Sequence, residues 1–283
     1  MTPLVAFAVL IAAVTHASWN AIAHAIKDQL LSFTLISGGG LLIGASAACF
    51  VPLPAAGAWP CIIVSAALHV AYMLLLMRSF TLGDFGQMYP IARGTAPLVV
   101  TVLAAVFVGE HPDAWATTGV AVASAGLVGL ALWGIRGSGR RPDWPALVAA
   151  VATGLAIAGY TTIDGVGVRA SGTSLGYIAW LMILEGLALP AYALYRHRGQ
   201  LAHRLKPFAA RGLLGAALSV TAYGLVLWAQ TRAALAPIAA LRESSIIVGA
   251  AIGAVFFKER FGAPRIAAAG LMVVGIGLML HSS

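Results

Sequence analysis

Long apolar segments follow one another along almost the whole chain, separated by short connections that carry Gly, Pro or a few charges. A helix needs about 20 apolar residues to cross a bilayer, whereas the strands of an outer-membrane barrel show alternating segments of roughly ten residues. The segments here are continuous and rich in Leu, Ala and Gly, which favours helices. The sequence predicts ten membrane-spanning helices, at residues 3–26, 31–51, 59–81, 85–108, 113–134, 144–168, 174–195, 208–231, 234–257 and 262–281.

Charged residues are rare. Of the 283 residues, 9% are charged and 60% are hydrophobic, and the mean hydropathy is +0.93. A soluble domain carries about 25% charged residues. Because so apolar a chain cannot hide its side chains from water in one globule, the sequence predicts an all-α integral membrane protein. The net charge of +8 then marks cytoplasmic loops and does not indicate a nucleic-acid partner.

Metal-ligating residue types occur without the spacing of a metal site. Cys49 and Cys61 lie in apolar segments and form no CxxC motif. His16 and His24 could share a helix face, but no third ligand follows at a suitable spacing. We therefore expect neither a metal nor another cofactor.

A polar linker, "WGIRGSGRRPDWP", lies almost at the midpoint of the chain. It divides the sequence into a first five-helix repeat over 1–135, a linker loop over 136–143 and a second five-helix repeat over 144–283. Since each half has an odd number of helices, the second copy must cross the membrane in the opposite sense.

Landmark residues recur between these halves. An offset of 149 residues places Arg242 on Arg93 and Glu259 on Glu110. Inverted repeats are a recurring plan among secondary transporters, whose substrate site lies near the midplane at the repeat interface. We therefore expect two inverted five-helix repeats around a central cavity.

The basic residues of the loops predict an orientation. Thirteen Lys and Arg residues follow the odd-numbered helices, and two follow the even-numbered ones. Cytoplasmic loops carry the excess of positive charge, so both termini are expected on the outer face of the cell inner membrane.

Arg93 lies within the fourth predicted helix, about 12 Å from its start at 1.5 Å per residue. An ionisable residue inside a span is costly and suggests a functional site. Pro90 removes a backbone donor and leaves nearby carbonyl groups free, and we expect helices 4 and 9 to be interrupted at Pro90 and near Pro237. Arg93 could bond such carbonyls, could take part in gating, or could hold the carboxylate or phosphate of a substrate in two-point fashion.

Arg242 has an acidic neighbour, Glu243, at the position where the first copy has Gly94. One reading pairs Glu243 with Arg93 across the repeat interface. In a second reading the arginines take a carboxylate while Glu243 or Asp164 takes an ammonium group, which suits a zwitterionic substrate. In a third, Glu243, Asp164 or Glu185 carries a coupling proton.

Both copies resemble the EamA-type branch of the drug/metabolite transporter superfamily. The resemblance lies in "PIARGTAPLVVTVLAAVFVGEHPDAWATTGVAVASAGLVGL" and "PIAALRESSIIVGAAIGAVFFKERFGAPRIAAAGLMVVGIGL". It implies an inner-membrane carrier whose cavity is lined mainly by helices 1, 3, 4, 6, 8 and 9. It also implies that helix 7 is peripheral, which favours a structural bond for Glu185.

Further candidate binding residues are polar or aromatic and fall on those helices. Each alone more often packs or anchors than binds a ligand. They are His16, Trp19, Asn20, Tyr72, Tyr89, Tyr160, Thr162, Tyr223 and Trp228.

The leading function is a secondary transporter that moves small polar or zwitterionic metabolites by alternating access. Amino acids are the expected substrates, export is the favoured direction, a proton is a candidate coupling ion, and the monomer is expected to function. The runner-up substrates are organic phosphates or phosphonates. A membrane-embedded enzyme or a non-transporting subunit is a third class, but the sequence has no Walker, HExxH or GxSxG motif, so we expect no enzyme.

Overall fold

The computed structural model describes residues 1–82, 85–137, 144–248 and 263–281, without the side chains of residues 24, 79–81, 85–91, 130–137, 265 and 280. All regular structure in these ranges is helical. Five helical segments are long and apolar enough to cross a membrane. These findings agree with an integral membrane protein. The count of ten spans stays a prediction.

The first half folds into five helices: α1 (Pro3–Ala25), α2 (Gln29–Ala48), α3 (Trp59–Leu82), α4 (Phe85–Leu103) and α5 (Ala114–Gly137). Thr2 and Asp28 cap α1 and α2, because their side-chain oxygens accept hydrogen bonds from the amides of Val5 and Leu31. A π-helical turn, Ala104–Val108, follows α4 and ends at Gly109, whose φ of 73° suits a residue without a side chain.

The expectation that Pro90 interrupts helix 4 is wrong at the level of the backbone. The helix α4 runs continuously through this position. Pro90 is the sixth residue of α4, so its missing N–H deprives only the carbonyl of the second residue, close to the helix start.

The second half contains α6 (Trp144–Ala170), α7 (Ser174–Gly186), α8 (Ala188–His197), the short α9 (Leu201–Leu205), α10 (Ala209–Gln230), α11 (Leu235–Arg242) and α12 (Ala263–His281). The predicted seventh span is divided at Leu187, between α7 and α8. Pro190 explains the division, since it cannot donate to the carbonyl of Gly186.

The predicted ninth span also contains a break. The helix α11 ends at Arg242, Glu243 and Ser244 form a turn, and residues 245–248 are helical again. Pro237 does not cause the break, because it lies in the first turn of α11, where an N–H has no helical partner. The turn lies at the Arg–Glu pair that the sequence singles out.

Glycines bring α5 and α12 together in the most extensive helix contact. A Cβ on Gly119 would lie 2.5 Å from the carbonyl oxygen of Gly275, and a Cβ on Gly275 would lie 2.6 Å from that of Gly119. Neither position therefore accepts a larger residue without moving a backbone.

Several other contacts between the described helices come in pairs. In the first pair, α3 packs on α6 and α1 packs on α10. In the second pair, α4 packs on α6 and α1 packs on α11. In the third pair, α3 packs on α7 and α2 packs on α10. In each pair, the second contact is obtained from the first by exchanging the halves of the chain.

Candidate functional site

Among the residues that the structure describes, four charged side chains are buried inside the helix bundle. Arg93, Asp164, Arg242 and Glu243 are each at most 3% exposed. They come from α4, α6 and the end of α11, so both halves of the chain contribute. Charges so far from water require compensating partners.

Arg93 pairs with Glu243. Its Nε lies 2.7 Å from the Oε2 of Glu243, and a terminal nitrogen donates to the Oγ of Ser245 at 3.4 Å. The neighbouring Gly94 lets α4 approach α5, because a Cβ there would lie 2.7 Å from the Cβ of Leu127. Of the readings that the sequence leaves open for Arg93, the ion pair between the halves is the one present in this structure.

Arg242 does not join that ion pair, although it lies close enough to Glu243 to interact with it electrostatically. Its guanidinium lies close to the hydroxyl of Tyr160 and to His16. The buried Nε has no hydrogen-bond partner among the described residues, and no described acid lies within ion-pair distance of Arg242.

Two other buried polar atoms near Arg242 are also unsatisfied within the described chain. One is the Nε2 of His16, whose Nδ1 accepts a hydrogen bond from the indole N–H of Trp19 at 3.2 Å. The other is the Oε1 of Glu243. An unsatisfied buried polar group costs about 1–3 kcal/mol, so these atoms are suited to a polar ligand or to water.

Asp164 differs from Glu243 because hydroxyl groups satisfy it. The hydroxyl of Tyr177 donates to its Oδ1 at 2.7 Å, and the hydroxyl of Tyr223 donates to its Oδ2. Ser65 adds a further side-chain interaction. Asp164 thus ties α6 to α3, α7 and α10, and it offers little free acceptor capacity to a ligand.

Aromatic rings lie beside Arg242. Tyr160 stacks on His69 with ring centroids 3.9 Å apart, and it makes edge contacts with Tyr72 and Tyr223 at 5.7 Å and 6.0 Å. Trp19, Tyr72 and Tyr160 belong to one buried apolar cluster. This wall could pack against the apolar part of a solute.

The remaining sequence candidates have local partners. Asn20 donates to the carbonyl of His16 at 2.9 Å, and Thr162 donates to the carbonyl of Ala158 at 2.9 Å. Trp228 lies under the guanidinium of Arg232, 4.4 Å from the ring centroid. The side chain of Tyr89 lies outside the described residues.

A latch joins the two halves at one end of the bundle. Glu110, beyond α4, accepts a hydrogen bond from Arg169 at 2.6 Å and from the backbone amide of Leu235 at 2.7 Å. Arg169 also donates to the carbonyls of Gln230 and Ala233 at 2.7 Å and 2.9 Å. Sequence reasoning found Glu110 through the repeat and missed these partners, because no spacing rule links them.

A further charged contact links α7 to α3. The Oε2 of Glu185 lies 3.6 Å from the Nδ1 of His69. Sequence analysis named Glu185 as a candidate and did not pair it with His69. Within the described ranges, no group of three or more His, Cys, Asp and Glu residues could hold a metal ion.

Comparison with known proteins finds similarity to one family in the second half of the chain and to one known fold over nearly all of it. Residues 144–281 match the EamA-like transporter family. A crystal structure of another protein shares the fold over 96% of this chain and 98% of its own, with a TM-score of 0.70 and 18% identity. No curated protein sequence matches the chain. The protein is therefore a multi-pass membrane protein, and its residues 144–281 are similar to the EamA-like transporter family, in agreement with the resemblance seen in the sequence.

Proposed function

We propose that this protein is a secondary transporter of small zwitterionic metabolites, amino acids foremost, and that it works by alternating access in the cell inner membrane. The family itself indicates a membrane transporter of small molecules. One observation carries the finer assignment: Arg242 is buried without an ion-pair partner among the described residues, next to the Arg93–Glu243 pair.

A zwitterion complements the three unsatisfied atoms. Its carboxylate would bind Arg242, whose planar guanidinium suits two-point bonding. Its ammonium group would donate to the Oε1 of Glu243, and the Nε2 of His16 would take a further hydrogen bond. Because a zwitterion has no net charge, it would satisfy these groups without adding charge to the interior.

Organic phosphates fit this site less well. A phosphate dianion would need both arginines, and Glu243 already neutralises Arg93 at 2.7 Å. The same carboxylate would repel a second anion nearby.

Two features support alternating access. The helix contacts come in pairs related by exchange of the halves, which favours two inverted five-helix repeats. The turn at Glu243 and Ser244 interrupts the helical backbone beside the charged residues. Discontinuous helices at the midplane are typical of transporters that expose backbone groups to a substrate. With the basic loops in the cytoplasm, both termini would lie outside, and export remains the favoured direction.

Counterflow into sealed proteoliposomes, screened with amino acids and organic phosphates, tests the assignment. We expect amino-acid counterflow by the wild-type protein and at least a tenfold loss in Arg242→Gln, because a charge-assisted bond is worth about 1.5–3 kcal/mol. Arg242→Lys keeps the charge and should retain part of the flux. Arg211→Gln removes an exposed arginine and is the matched control. Full counterflow by Arg242→Gln, or wild-type counterflow of phosphates alone, would refute the proposal.

A further inference from the structure

The described interior contains one more acid than it has permanent cations. Arg93 and Arg242 carry positive charges, and Glu243 and Asp164 can balance them. Glu185 is the third carboxylic acid of this interior, with a side chain that is 11% exposed. An uncompensated charge in such surroundings is strongly unfavourable. Glu185 therefore requires a positive partner or a bound proton.

The surroundings of Glu185 provide one titratable partner at close range. The nearest is His69 on α3, at 3.6 Å, and the buried Oε2 of Glu185 has no hydrogen-bond partner in the described chain. Asp164 on α6 is close enough to interact electrostatically. The helix α2 contains no titratable residue, and α10 presents the hydroxyl of Tyr223, which donates to Asp164. The titratable groups of α8 lie from Tyr192 onward, past its first turn.

His69 has polar contacts to its own helix and ring contacts to two tyrosines. Its Nδ1 lies 3.0 Å from the carbonyl oxygen of Ser65 and 3.2 Å from the Oγ of the same residue. Its ring stacks on Tyr160 at 3.9 Å and meets Tyr223 edge-on at 5.1 Å. Arg242 lies close enough to interact electrostatically. A protonated His69 would therefore be a second positive charge in this region, and Glu185 is the described acid close enough to balance it.

We propose that Glu185 and His69 together bind one proton, and that its uptake and release couple substrate movement to a proton gradient. This inference depends on the transport function proposed above. With one proton on the pair, the two arginines, three carboxylates and the imidazole sum to zero charge. Loss of that proton leaves the interior with one uncompensated negative charge.

Side-chain contacts through Tyr160 connect the Glu185–His69 pair to the proposed substrate site at Arg242. His69 stacks on Tyr160, and the hydroxyl of Tyr160 lies beside Arg242. A carboxylate bound at Arg242 changes the potential at His69, and a change of charge on the Glu185–His69 pair changes the potential at Arg242. By linkage, the effect of substrate on proton binding equals the effect of the proton on substrate binding.

The experiment compares Glu185→Gln with Glu185→Asp in proteoliposomes. Glutamine has nearly the shape of glutamic acid but binds no proton in this range, whereas aspartic acid keeps the carboxyl group. Two readouts are taken with the amino acid that gives counterflow: counterflow without a pH gradient, and accumulation driven by an imposed pH gradient. For one proton per substrate, one pH unit supplies about 1.4 kcal/mol, or about tenfold accumulation.

We expect Glu185→Gln to keep counterflow within about twofold, because glutamine has nearly the shape of the protonated acid and lies outside the proposed substrate site, and to lose the gradient-driven accumulation. Glu185→Asp should keep both. Two results would overturn the inference while leaving the proposed function intact. One is gradient-driven accumulation by Glu185→Gln. The other is a wild-type protein that shows counterflow but no accumulation driven by the imposed pH gradient. Loss of counterflow in Glu185→Gln would also overturn it, because the residue would then serve structure or binding. Absence of wild-type counterflow would instead refute the proposed function.

Discussion

Breaking the Arg93–Glu243 pair should destabilise the fold by an amount that the geometry allows one to estimate. The two side chains are 2% and 1% exposed, and their nearest charged atoms lie 2.7 Å apart. With an effective dielectric constant near 20, Coulomb attraction at that distance is about 6 kcal/mol. Part of this is offset by the cost of removing both charges from water. Removing one partner from a buried pair costs about 3–5 kcal/mol.

Three variants separate the pair from its individual members. We expect Arg93→Gln and Glu243→Gln each to lose about 3–5 kcal/mol of unfolding free energy, because each leaves the other charge buried alone. The double variant leaves neither charge, so its loss should fall short of the sum of the two single losses by about 3 kcal/mol. The exposed Arg211→Gln is the control and should change stability by at most about 0.5 kcal/mol.

The assay is reversible unfolding in mixed micelles titrated with denaturing detergent, followed by helical circular dichroism. Amino-acid counterflow on the same four proteins adds the functional readout. The double variant should regain stability but not substrate affinity, because the Oε1 of Glu243 is proposed to accept the ammonium group. Single losses that simply add in the double variant would show that the two charges are not coupled, and the pairing argument would fail.

Two further changes test the packing and the latch by the same unfolding measurement. Gly119→Ala places a Cβ 2.5 Å from the carbonyl oxygen of Gly275, so we expect a loss of about 1–3 kcal/mol. Gly129→Ala, on the same helix with no described atom within 4 Å, should be neutral or slightly stabilising; equal effects at the two sites would contradict this packing. Glu110→Gln weakens its 2.6 Å bond to Arg169, and partial exposure of that pair limits the expected loss to about 1–2 kcal/mol. Unchanged stability would mean that the latch does not hold the halves together.

The hydrophobic pattern located helices in both halves of the chain well, because lipid demands a fixed length of apolar chain. The first and sixth spans were predicted at 3–26 and 144–168, and the structure has helices at Pro3–Ala25 and Trp144–Ala170. The positions at which the helices are interrupted were harder to predict from the sequence. Proline in the sequence indicated interruptions at Pro90 and near Pro237, yet α4 continues through Pro90 and the break after α11 falls at Glu243. A proline near a helix start costs little, so its presence alone does not locate a break.

The sequence predicted which charged residues lie in the candidate site, but it did not predict which side chains contact each other there. A buried charge is visible in the sequence because lipid excludes it. Its partner depends on which side chains from distant helices meet. Asp164 illustrates the limit, since Tyr177 and Tyr223 supply its hydroxyl donors from helices that no spacing rule connects to α6. The contact between Glu185 and His69 likewise joins two helices that no spacing rule connects.

The difference between the two arginines argues for one anion site rather than two. A strict repeat would give Arg93 and Arg242 equivalent surroundings. At the next residue the copies diverge: Gly94 packs against Leu127, where a Cβ would lie 2.7 Å away, while Glu243 turns its carboxylate to Arg93. One guanidinium is thereby neutralised and the other keeps an unsatisfied Nε. The proposed repeat would account for the presence of two arginines, and its departure from symmetry gives the proposed site a direction, with the carboxylate of the substrate at Arg242 and its ammonium group toward Glu243.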